Sequence, residues 1–127
     1  ANRYILGFAL GNLAGVLIEQ GELDEALAAM REAAPMICEV GSFYLFGDHF
    51  SLRLAKAGHA QSAARLLGYT DHEHERFKNQ RQVNEARARA SVMAILNERM
   101  TPEELAHQMA EGAKLGEDEA VQLALTP

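Results

Sequence analysis

A chain of 127 residues in which apolar side chains make up 48% and charged ones 24% has the balance of one globular domain, and neither disorder nor low complexity fits it. Eighteen acidic against twelve basic side chains leave a formal charge of −6, which disfavours nucleic-acid backbones and anionic lipid surfaces as partners. The one cysteine, Cys38, leaves no intrachain disulfide and no thiolate metal cluster; it fits a cytoplasmic protein and a structural thiol.

From Tyr4 to Ile18 the residues are nearly all apolar. The run is shorter than the ~20 residues that span a bilayer, and Asn12 interrupts it, so a buried helix is expected. No basic segment with a small-residue cleavage site precedes it, and no signal peptide is expected. The helical pattern starts at once, without an initiating Met, as in a piece of a longer protein. In "EQGELDEALAAM" Gly21 ends this helix, because glycine takes the left-handed conformation of a helix C-terminus without steric cost. Leu23, Ala26, Leu27, Met30, Ala33, Ala34 and Ile37 then follow the i, i+3, i+4, i+7 spacing of a second helix, kinked at Pro35.

Gly41 closes that helix and Ser42 caps a third, which runs to about Lys56. Gly58 makes the next turn, and a fourth helix begins near Ala60. The segment "DHEHERFKNQRQ" reads as a solvated helix end fraying into a loop near Asn79. A fifth helix spans about 83–98, with Val83, Ala86, Ala90, Met93 and Leu96 inward. In "MTPEE" Thr101 is an N-cap, Pro102 stands at N1 and Glu104 completes a capping box; the sixth helix runs to about Ala113 and "GEDEAVQLAL" forms a short seventh. With no period-two alternation anywhere, the class is all-α.

Gly7, Gly11 and Gly15 lie four residues apart, on one stripe of the first helix. Each costs ~1 kcal/mol relative to alanine in a helix interior. Either another helix approaches closely there or tertiary packing tolerates them. Elsewhere the residues carry little chemistry. His72 and His74 are two positions apart and point about 200° apart on a helix, unsuited to sharing a metal. No Gly-rich phosphate loop, nucleophile elbow or HExxH stands in the sequence, so neither enzymatic activity nor a cofactor is expected. Arg76, Lys78, Arg81, Arg87 and Arg89 interleave with Asp71, Glu73, Glu75 and Glu85 and read as a salt-bridged surface.

Aligning Gly21 with Gly58 gives a 37-residue period, close to that of a helix-turn-helix repeat. Leu10, Leu13, Ala14, Leu17, Gly21, Ala26, Met30 and Ala33 fall on the signature positions of the tetratricopeptide repeat, which the first unit resembles; Ala14 and Ala26 mark its helix crossing. Ser51, Leu54, Gly58, Ala63 and Leu67 make the second unit a degenerate copy. From "AARLLGYTD" to "LGEDEAVQLAL" the chain is also similar to the C-terminal helical-repeat region of large bacterial transcription regulators that join a winged-helix or LuxR-type DNA-binding domain to an ATPase core. The resemblance implies two repeat hairpins, 1–40 and 42–76, and a C-terminal helical cap, 81–127.

It also implies a groove lined by Phe8, Gly11, Asn12, Gly15, Ile18 and Glu19 from the first unit and by Leu45, Asp48, His49, Leu52 and Lys56 from the second. Asn12 matches the asparagine of members that bind peptide carboxylates, but Glu19 stands where those members carry a basic residue, against a carboxylate clamp. The expected role is a non-catalytic protein-interaction or sensor domain of a bacterial transcriptional regulator. The alternative is a domain that closes its groove over a small-molecule inducer. Tyr4, Ile5 and Phe8, with the glycine stripe, are expected to support a homodimer.

Overall fold

The computed structural model describes residues 2–127. The described residues form α1 (Arg3–Glu19), α2 (Leu23–Cys38), a 3-10 turn (Phe43–Phe46), α3 (Gly47–Lys56), α4 (Ala60–Arg76), α5 (Val83–Arg99), α6 (Pro102–Gly112) and α7 (Glu117–Ala124), and no strand. The fold is all-α, as expected.

Gly21, Gly41 and Gly58 all have positive φ, +82°, +66° and +91°. After each, the next N–H donates to a carbonyl five residues back: Glu22 to Leu17 at 2.8 Å, Ser42 to Ile37 at 3.1 Å and His59 to Leu54 at 2.8 Å. This is the Schellman closure, in which a left-handed residue lets the chain satisfy the last free carbonyls of a helix. A fourth copy ends α4, where Asn79 N–H donates to His74 O at 2.9 Å. There the left-handed residue is Lys78, φ +51°, which no glycine announces.

α1 and α2 pack as a hairpin, as do α3 and α4; α5 then lies on α3, α6 on α4, and α7 against α4 and α3. Ala14 and Ala26 are wholly buried in the α1/α2 contact. The core continues through an aromatic series, Phe8 edge-on to Phe46 at 5.2 Å between centroids and Phe46 stacked on Phe50 at 5.9 Å. α4 and α6 touch at two glycines: a Cβ on Gly68 would collide with the Met109 carbonyl, and one on Gly112 with the Arg65 carbonyl.

α2 continues through Pro35 to Cys38. Several expectations need correcting. The third helix is split, its first turn being 3-10, and Ser42 makes no capping bond with its side chain. Gly47, the first residue of α3, faces Thr70 so closely that no Cβ fits. In α5 the buried stripe is Ala88, Val92 and Leu96; Val83 is 82% exposed and Ala86 and Ala90 are exposed too. Its apolar residues, from Val83 and Ala86 to Val92, Met93, Ile95 and Leu96, are spread around the helix, so they do not define one face, and contact with α3 selects the phase. Thr101 Oγ1 does accept the Glu104 N–H at 3.2 Å. Two further helix starts, at Gln82 and Gly116, have their N–H groups bound by Glu85 Oε1 at 2.7 Å and Glu119 Oε1 at 3.1 Å.

Candidate functional site

A groove of about 560 Å3 runs between α1 and the α4–α5 loop. Phe8, Gly11, Asn12, Gly15, Val16 and Glu19 of α1 form one wall, and Leu45, Phe46 and His49 form the floor. Asn79, Gln80, Gln82, Asn84 and Glu85 form the other wall, which the sequence reading did not include. Its signal was present in "NQRQVNE", a run of amides before a helix start, but nothing local says that the run folds back towards α1.

Seven of the expected groove residues come together here: Phe8, Gly11, Asn12, Gly15, Glu19, Leu45 and His49. Four do not. Ile18 and Leu52 are 0% and 2% exposed and belong to the core. Asp48 is buried beneath Arg81. Lys56 donates from Nζ to the Ile18 carbonyl at 2.9 Å, closing the C-terminal end of α1, where a cation suits the helix dipole. The expected stripe on α3 was too wide because α5 packs on α3 and covers its Asp48 flank.

The glycine stripe is used inside the chain. A Cβ on Gly7 would stand 2.6 Å from Met36 Cβ and one on Gly11 2.5 Å from the Phe46 ring, while Gly15 faces His49. The close approach is therefore to α2, the 3-10 turn and α3, which corrects the assignment of this stripe to a dimer contact. Tyr4 and Ile5 stay on the surface, 40% and 65% exposed.

The far wall is held from beneath by four charges. Arg81 donates to both Asp48 oxygens, Nε at 2.8 Å and Nη2 at 3.1 Å, and also to Asp71 Oδ1 at 2.5 Å. Arg89 forms a second fork on Asp71, at 2.9 and 2.7 Å. The network ties α3, α4, the loop and α5 together. Burial pushes the Asp48 carboxyl above its ordinary range, and the hydrogen bonds and charge of Arg81 offset only part of this. Burial would also raise Asp71, but the hydrogen bonds and charges of Arg89 and Arg81 outweigh it and hold the carboxyl low. His74 Nδ1–H donates to the Asn79 carbonyl at 3.0 Å, and Tyr44 stacks on Phe77 at 5.3 Å.

The segment "DHEHE" is thus no solvated helix end: Glu73 and His74 are 7% and 5% exposed, and Asp71 is committed to two arginines. Among the described residues no three His, Cys, Asp or Glu side chains are gathered to hold a metal ion. Cys38 is pushed up to about 11, by burial first and then by Glu117 and Asp118, and stays a protonated, unreactive thiol at neutral pH.

In the groove itself the charges are two carboxylates, Glu19 and Glu85, with no Lys or Arg in the lining. His49 Nε2 lies 3.8 Å from Glu19 Oε1, and Glu85 already holds the Gln82 N–H. Five side-chain amides face the opening, each offering both donors and an acceptor. Among the described residues no helix is long and apolar enough to cross a membrane. The chain is an all-α protein with an open, amide-lined groove. No protein-family model, no curated protein and no solved structure matches it.

Proposed function

We propose that the chain is a non-catalytic protein-interaction and sensor domain of a bacterial transcriptional regulator, working in the cytoplasm without a cofactor and receiving its partner in the groove between α1 and the α4–α5 loop. The observation that carries this reading is that seven residues assigned to a groove by repeat register lie along a single groove of about 560 Å3. The groove offers hydrogen bonds and an aromatic floor, and no nucleophile beside a base of the kind acyl or phosphoryl transfer needs. The resemblance to repeat-built regulators supplies the cellular context. Binding of a small inducer is the second reading, favoured by the volume, which lies within the 300–1,000 Å3 range of small-molecule sites.

Photo-crosslinking in cells separates the two. A benzophenone amino acid replacing Asn12, in the groove wall, is expected to give polypeptide adducts that the same probe at exposed Glu103 on α6 does not give. A small molecule retained in native mass spectrometry, without polypeptide adducts, selects the inducer reading. With neither outcome the groove is not a binding site.

A further inference from the structure

We infer that the groove selects an extended peptide segment carrying a basic side chain, a specificity that rests on the groove being the binding site. The electrostatic part of the argument is the balance of charge around the opening. Glu19 is 41% exposed at its side chain and stands on the α1 wall; Glu85 stands opposite, on the α5 side. No Lys or Arg lines the groove, and three cations close to it are turned away into the fold. Arg81 is held by Asp48 and Asp71, and Arg89 by Asp71, while Lys56 is turned onto the carbonyls of Ile18 and Glu19 at 2.9 and 3.5 Å.

An anionic ligand would therefore lie beside Glu19 and Glu85 with no Lys or Arg in the lining to offset the repulsion. A guanidinium or ammonium meets the Glu19 carboxylate, whose Oε1 is 3.8 Å from His49 Nε2, beyond hydrogen-bond distance, so its acceptor sites are open to a forked hydrogen bond. Like-charge exclusion of this kind discriminates between partners as strongly as attraction does.

The hydrogen-bonding part of the argument concerns what lies next to the cation. Asn12 on one wall and Asn79, Gln80 and Asn84 on the other each present an NH2 donor and a carbonyl acceptor. An extended main chain presents N–H and C=O groups in alternation and can use both kinds. A small polyamine has donors only and would leave the amide NH2 groups without partners. Phe8, Leu45 and Phe46 offer apolar surface for the aliphatic stem of an arginine or lysine. The loop wall is braced in advance by Arg81, His74 and Tyr44, so its ordering does not count against binding.

The test uses three capped pentapeptides, Ala-Ala-X-Ala-Ala with X as Arg, Ala or Glu, and spermidine as a free polyamine. Each is titrated into the 15N-labelled chain while the side-chain amide resonances are followed by NMR. The Arg peptide is expected to shift Asn12, Asn79, Gln80 and Asn84 and to bind at least about tenfold more tightly than the Glu peptide, the size of one engaged ion pair. Glu19→Gln should remove most of that preference, and Glu103→Gln on α6 should leave it unchanged. Equal binding of the three peptides overturns the charge selectivity while leaving the groove as a binding site. Spermidine binding as tightly as the Arg peptide overturns the peptide assignment. If no probe moves the groove amides at millimolar concentration, the inference falls; polypeptide adducts from position 12 would then keep the groove itself as the interaction site.

Discussion

Gly68 and Gly112 show what a single missing Cβ does. Each lies against a backbone carbonyl of the opposing helix, Met109 O and Arg65 O, and a carbonyl in a helix cannot swing aside as a side-chain tip can. Gly68→Ala and Gly112→Ala should each cost about 2 to 3 kcal/mol by overpacking the α4/α6 contact. At Gly15 the neighbour is the His49 ring, 3.2 Å from an added Cβ. That ring can yield slightly, and alanine regains ~1 kcal/mol of helix propensity, so Gly15→Ala should change stability by less than about 1 kcal/mol. Urea midpoints of the three variants decide the matter, and equal values would refute the packing argument. Asp71 makes a pH-dependent prediction. Its folded pKa lies below the ordinary 3.8, so its stabilisation is complete above that value and is lost as pH falls through the folded one. Asp71→Asn should therefore destabilise at neutral pH, and its gap to the wild type should close below about pH 4. A gap that stays constant to pH 2.5 would show that the arginines do not hold the charged form.

At the scale of elements, the α4–α5 connection is the least expected part. Lys78 sits in the left-handed conformation, φ +51°, at a cost of ~1 kcal/mol or more for a residue with a side chain. The side chain is exposed, so Lys78→Gly should stabilise the chain by ~1 kcal/mol, read as a rise in thermal midpoint. No rise would mean that Lys78 makes a compensating contact. Arg81 works in the opposite direction. Its side chain is 18% exposed and that of Asp48 1%, so Arg81→Ala leaves a buried carboxylate without its partner and should cost about 3 to 5 kcal/mol. Asp48→Asn in the same chain should recover part of that loss. An additive double variant in a denaturation cycle would separate the two residues energetically.

At the scale of the whole molecule, α1 rests on α2 and α3 on α4, α5 and α6 lie on α3 and α4 in turn, and α7 folds back against α3 and α4. Arg53, 2% exposed, secures this last helix by donating to the carbonyls of Ala124, at 2.8 Å, and Thr126. A cation there suits the negative end of the α7 dipole. The other end of the molecule keeps an apolar strip, Ile5 65%, Leu6 50%, Leu13 48% and Val16 50% exposed. It lies on a helix with no charged residue between Arg3 and Glu19, two charges of opposite sign, so a second copy meets no net repulsion across it. The chain is expected to dimerise at micromolar concentration through this strip, and Ile5→Glu with Leu13→Glu should leave a monomer in analytical ultracentrifugation. A monomeric wild type would remove the prediction.

What could be read from the residues alone follows from local rules. Glycine at a helix end, Thr101 before Pro102, and apolar spacing in α1, α2 and α4 act within a turn or two of chain, so helix number and the three glycine turns were legible. About half the groove was reached by another route, the resemblance to the tetratricopeptide repeat, which implies that residues such as Asn12, Glu19 and His49 face one groove. The phase of α5, the left-handed Lys78, the burial of Asp48 and His74 and the amide wall were decided only by tertiary contact. The apolar residues of α5 are spread around the helix, and a charged segment such as residues 71–89 reads as surface until its arginines and aspartates are brought together. That pairing spans up to 33 positions of chain, Arg81 to Asp48. Local periodicity carries no record of such a distance; which polar face turns inward depends on the element packed against it.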